Sequence, residues 1–169
     1  MAIKSAQMAN LAVPAETLDG VRHWLDHVAG QGNKLGQFGY MNRTYLKATM
    51  SAEALLCHQY LDMPRNDPTL EAGARYLRTV LPQAKKESSY YWYYLSQVMF
   101  HLQGDDWKTW NQAMKPLLLN TQVKEGHEAG SWPPEDQWDR PGGRLLATSL
   151  RVLILEVYFR HLPLYKFDD

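Results

Sequence analysis

Cysteine is almost missing: Cys57 stands alone among 169 residues, which excludes an internal disulfide and fits a reducing compartment such as the cytoplasm. An excess of charge is missing too, because 18 lysines and arginines balance 18 aspartates and glutamates. That balance carries no electrostatic footprint for nucleic acid or an anionic membrane, so neither is expected as a partner. No apolar run is long and uncharged enough to span a bilayer. The apolar segment from Leu145 to Leu162 is interrupted by Arg151, Glu156 and Arg160. Met1 to Ala6 lacks the apolar core of a signal peptide. Gly-x-Ser-x-Gly, a phosphate-cradling glycine loop and a nucleophile–base pair are all absent, so the sequence offers no catalytic residue and calls for no cofactor.

What is present is apolar and aromatic. Hydrophobic residues make up 45% of the chain, enough for the core of one ordinary domain over residues 1–169, and the six tryptophans are many for this size. The spacing of these residues is helical almost throughout. Ala2 to Ala12 carries Ile3, Ala6, Met8, Ala9 and Leu11 until Pro14 stops it, and Ala15 to Ala29 carries Leu18, Val21, Trp24, Leu25 and Val28 at three-and-four spacing. Gly30 to Asn42, with glycines at 30, 32, 36 and 39, reads as an ordered loop holding Phe38 and Tyr40.

Further helices are expected over Ala48 to Leu61 and over Leu70 to Leu81, the second closed by Pro82. The next runs from Ser88 to Gln103, with serine as N-cap, and is ended by Gly104. Asp105 or Asp106 should cap a helix over Trp107 to Gln122, in which Pro116 predicts a kink or break. A loop from Val123 to Gly143 leads to a last, buried helix. No segment alternates with the period of a strand, so the fold class is all-α.

The helices alternate in character. Those beginning near 48, 88 and 145 are apolar nearly all round, and those beginning near 15, 68 and 107 are one-sided. Ala48-Thr49 and Ala147-Thr148 open two of the apolar helices, each after a glycine-plus-aromatic loop, which suggests an internal repeat. Stacked antiparallel helical hairpins in an inner and an outer layer are the physical solution to such an alternation.

Leu117 to Gln122 followed by Gly130-Ser131-Trp132 resembles the glutamine–tryptophan repeat of squalene and hopene cyclases and of protein prenyltransferase β subunits. Tyr91 to Tyr94, Trp107 to Asn111 and Gly130 to Tyr165 look like the C-terminal part of large bacterial proteins with prenyltransferase- and squalene-oxidase-type repeats and no assigned activity. The resemblance implies part of an α/α toroid, with Gln122 and Trp132 as a structural clamp between neighbouring helices. It also implies that the natural protein extends before Met1. An arc of this kind would have raw apolar edges suited to self-association or to a protein partner.

The chemistry of that family is not matched by the residues. Asp-x-Asp-Asp is absent, and Asp105-Asp106 lacks the third carboxylate of Asp-Asp-x-x-Asp. Cys57-His58 is the only nucleus for a zinc site, and adjacent helical residues point about 100° apart, which favours a buried thiol instead. His23 and His27 have the spacing of a chelating pair, but the solvated face of an amphipathic helix yields the same letters, and His127 with Glu125 and Glu128 reads as a solvated turn. No metal site is assigned.

The aromatic residues are the remaining candidates. Tyr91, Trp92, Tyr94, Trp107, Trp110, Trp132 and Trp138 are taken as a candidate pocket for an isoprenoid chain or a cation, against the alternative that the rings fill gaps between helices. Glu53, Glu156 and Arg151 are charges within apolar helices; Glu156 is expected to pair with Arg160 one turn on. The sequence therefore predicts a noncatalytic helical-repeat scaffold or interaction module. The alternative is the isoprenoid-binding portion of a terpenoid cyclase or prenyltransferase-like enzyme.

Overall fold

The computed structural model describes residues 1–83 and 88–165. It is mostly helical, as the periodicity predicts, with a single two-stranded ladder among the described residues. The helices fall into two compact units, Met1–Leu77 and Arg78–Asp169.

Unit 1 holds α1 (Ala2–Met8), α2 (Ala15–Val28), β1 (Phe38–Gly39), β2 (Leu46–Lys47), α3 (Ala48–Tyr60) and α4 (Pro68–Leu77). Helix α1 is shorter than its periodicity suggests. Its chain turns at Asn10, which takes a positive φ of 56°, and none of its residues is buried. Helix α4 begins and ends earlier than expected, with Pro68 tolerated in its first turn. Helix α3 is the core of the unit, burying Ala52, Ala54, Leu55, Leu56 and Gln59.

The glycine-rich loop contains a ladder that sequence periodicity misses. Phe38 and Gly39 pair antiparallel with Lys47 and Leu46. Two residues are too few to show alternation. The ladder is held from outside: buried Phe38 donates its N–H to Ser51 Oγ at 2.9 Å, and Ser51 donates to the Lys47 carbonyl at 2.8 Å. Gly36, at φ +77°, lies so close to α4 that a Cβ there would sit 2.2 Å from the Gly73 nitrogen. Both glycines are required by this crossing of backbone over backbone.

Unit 2 contains α5 (Ser89–Leu102), α6 (Gly104–Thr121), α7 (Gly143–Leu155) and α8 (Val157–Arg160). Helix α5 is central, packing on α6, α7 and α8, and buries most of its circumference. Ser88 caps it as predicted, its side chain accepting from the Tyr91 N–H. The turn into α6 is abrupt, with Gln103 and Gly104 at φ 57° and 61°. Asp105 and Asp106 therefore lie within the first turn of α6 instead of capping it, where carboxylates favour the helix dipole. They pair with Lys108 and Arg78. Helix α6 is continuous through Pro116, so of the kink or break expected there a break does not occur.

The largest correction concerns the last apolar segment. It forms α7 and a short α8, and it is buried on one side only. Ala147, Arg151, Ile154 and Val157 are covered, whereas Leu145 is 80% and Phe159 88% exposed. Glu156 does not form the expected pair with Arg160, whose guanidinium lies over the Tyr93 ring at 5.8 Å. No described helix is long and apolar enough to cross a membrane.

Candidate functional site

The aromatic candidates of unit 2 separate into three environments. Tyr91, Trp92, Trp110 and Trp132 are buried in the core. Tyr91 meets Trp110 edge-on at 6.2 Å and donates its hydroxyl to the Val80 carbonyl at 3.0 Å; Trp110 donates its indole N–H to Ser96 Oγ at 2.8 Å. These are the contacts of rings that fill a core and bond their polar tips. Tyr94 belongs to a more superficial cluster with Tyr90 and Tyr93 at 4.9 and 5.2 Å. Trp138 is 61% exposed and stands apart from the others.

Trp107 and Trp110 do share a cleft between α6 and the α7–α8 segment, closed by Met114, Ile154, Leu155 and Tyr158. Trp107 is wedged there between Phe100 at 5.4 Å and Tyr158 at 5.7 Å. The free volume of the cleft is about 10 Å³. A space of that size holds about one water molecule and no hydrocarbon chain.

Trp132 and Gln122 have distinct tasks. Buried Trp132 donates its indole N–H to the Leu118 carbonyl at 2.9 Å, satisfying an acceptor near the end of α6. Its backbone N–H donates to Thr148 Oγ1 on α7 at 3.1 Å. One residue thus joins the end of α6 to α7. Gln122 donates to the Gly130 carbonyl at 2.9 Å, closing its own loop, where Val123 and Gly130–Ser131 also exchange backbone bonds. Arg144 adds a 2.7 Å ion pair to Glu128 and a bond to Ser131 Oγ at 3.0 Å.

In a second constellation only Arg151 carried a sequence signal, as a charge within an apolar helix. Asp139, fully buried, accepts from Ser89 Oγ at 2.5 Å and from Arg151 Nη1 at 3.1 Å. Arg151 also donates to the Ala147 carbonyl and lies over the Trp92 ring at 5.8 Å. Asp136 accepts from the backbone N–H groups of Ser89, Trp138 and Asp139. Ser89 and Asp139 are 50 residues apart, so only the folded chain brings them together. Ser89 has an acceptor but no imidazole or lysine beside it among these contacts, and the arrangement is a staple of three elements.

Titratable groups with perturbed environments are few. Burial, reinforced by the charge of His161, lowers His101 to about 4, and its ring meets His161 edge-on at 5.8 Å. Burial and Arg160 lower His161. In unit 1, burial raises Glu53 to about 7, and burial also raises Cys57, one turn on, with Glu53 adding to the rise. Burial lowers His58, whose ring meets Phe38 at a tilt with centroids 5.5 Å apart. His23 and His27 lie on the exposed side of α2, and His127 is solvated. No group of three or more metal-ligating side chains occurs among the described residues. Comparison of the chain with family models, curated proteins and solved structures finds no match.

Proposed function

We propose that this chain is a noncatalytic helical-repeat scaffold or interaction module, with the prenyltransferase- and squalene-cyclase-like repeat that Gln122 and Gly130-Ser131-Trp132 resemble. The observation that carries the reading is the exposed apolar side of α7, α8 and the residues just after them, where Leu145, Phe159 and Leu162 stand 80–88% in solvent. Apolar side chains grouped in this way mark interaction sites on folded proteins. The candidate rings add support, because Tyr91 and Trp110 pack edge-on against each other and the cleft at Trp107 admits about one water.

An isoprenoid-binding portion of a cyclase or prenyltransferase-like enzyme needs a deep apolar cavity instead. A thermal-shift titration with isoprenoid diphosphates, with and without magnesium or zinc, separates the two. The interaction module shows no shift at saturating ligand. A saturable rise in melting temperature that Trp107→Ala abolishes would overturn it in favour of the isoprenoid reading.

A further inference from the structure

His23 and His27 stand four residues apart, a spacing that becomes a chelating pair only if the helix forms through both positions and leaves both outside. The fold meets these conditions. Helix α2 is continuous over Ala15–Val28, so the two histidines lie one turn apart on the same side, with Cβ atoms about 5–6 Å from each other. Leu25 and Val28 are buried and both histidines are exposed. Each imidazole can turn toward the other without leaving solvent.

The neighbouring charges leave room for a cation. Asp19, one turn before His23, pairs with Arg22 at 3.0 Å, so the nearest cation along the helix is neutralised by a carboxylate in line with the two histidines. Arg43 lies at the far end of α2, where its guanidinium donates to the Asp26 and His27 carbonyls at 3.1–3.3 Å. Those carbonyls are the negative end of the helix dipole and offset its charge. The Trp24 ring meets that of His27 at a tilt with centroids 5.7 Å apart, which puts an indole beside anything His27 binds.

We propose that His23 and His27 together chelate a divalent transition-metal ion, copper(II), nickel(II) or zinc(II), across one turn of α2. Imidazole nitrogen suits these metals, at about 2.0–2.1 Å, and magnesium and calcium prefer oxygen. Two nitrogens in adjacent coordination positions need to be about 3 Å apart, within reach of side chains at this spacing. No group of three or more metal-ligating side chains occurs among the described residues, so water fills the other positions and the site is an open one. The site lies in unit 1 and is independent of the interaction-module reading, which the isoprenoid titration tests separately.

Isothermal titration calorimetry of the full chain with copper(II) chloride, with tryptophan fluorescence recorded alongside, tests the site. A single saturable binding step accompanied by quenching is expected. His23→Ala and His27→Ala should each weaken it about tenfold or more, because one imidazole loses the advantage of the second being tethered beside it. Both positions are on the exposed face of α2, and circular dichroism checks that the helix persists. Trp24→Phe should keep the binding and remove most of the quenching. Nickel(II) and zinc(II) should compete with copper(II) and bind more weakly, in the usual order of these metals, and magnesium should not compete. Titration heats unchanged by His23→Ala, quenching that persists in Trp24→Phe, or binding lost in Cys57→Ser or His127→Ala instead would each place the metal elsewhere and overturn the site. The absence of any saturable binding would overturn it outright.

Discussion

Inside unit 2 the guanidinium of Arg151 sits at 5% side-chain exposure with its charge met by an Asp139 carboxylate at 0%. Two buried ions of opposite sign cost several kcal/mol each to desolvate, and their attraction offsets this only when the remaining bonds are also made. Here they are: Ser89 and the Ala147 carbonyl take part. Removing one partner strands the other. Arg151→Leu is expected to destabilise unit 2 by about 3–5 kcal/mol, whereas Arg151→Leu combined with Asp139→Leu should recover much of that loss. Urea denaturation of the two variants and their parent measures it; equal losses in both would show that shape, not charge, dominates the site. Arg151 was legible in the sequence as a charge in an apolar helix. Its partner was not, because Asp139 reads locally as one polar residue in a Pro/Gly-rich loop.

At the scale of elements, α4 and the glycine-rich loop illustrate how packing overrides propensity. Alanine is a better helix former than glycine by about 1 kcal/mol, so Gly73 inside α4 looks like a place for improvement. A Cβ there would come within 2.5 Å of Leu55 Cδ1 and 2.8 Å of the Gly36 carbonyl. Gly73→Ala is therefore expected to lower the stability of unit 1, by roughly 1–3 kcal/mol, through overpacking. Thermal melting followed by circular dichroism reports the sign, and a stabilised variant would refute the close crossing. In unit 2, the Gln122-to-Trp132 loop shows how much an element boundary discloses by itself. The helix end at Gln122 and the importance of Trp132 could be read from the letters. That Trp132 reaches Leu118 and Thr148 while Gln122 turns back to Gly130 depends on the loop's path.

Across the whole molecule the formal charge is zero at pH 7, so a few buried groups dominate the pH dependence of stability. Glu53, raised to about 7 from an ordinary value of 4.5, binds a proton more readily in the fold than in the unfolded chain. Stability of unit 1 should rise as pH falls from 7 to 4.5, and the cost of ionising Glu53 is complete above pH 7. His101 acts in the opposite sense. Lowered to about 4 from 6.5, it resists protonation in the fold, so unit 2 loses stability as pH falls from 6.5 toward 4, by on the order of 3 kcal/mol. His58 and His161 are also lowered, each opposing acidification in its own unit. Urea titrations at a series of pH values should find Glu53→Gln stabilising at pH 8 with the gain fading toward pH 4.5. His101→Phe should flatten the acid-side loss of unit 2. Parallel profiles for variant and parent in either case would contradict the assigned burial.

The sequence by itself determined that the chain is helical, where α2, α3 and α5 start and stop to within a residue, that Ser88 caps α5, and that no charge excess or disulfide shapes it. These properties depend on a residue and its neighbours within about a turn, through backbone sterics, capping and the 3.6-residue period. Tertiary structure decided which apolar surfaces are covered. Leu55 and Leu145 are alike as letters, yet one is fully buried and the other 80% exposed. Burial is a property of the neighbours that arrive from elsewhere in the chain, and α7 has neighbours on only one side. The same dependence placed Ser89, Asp139 and Arg151 together, closed the cleft at Trp107, and left an apolar stripe on the outside.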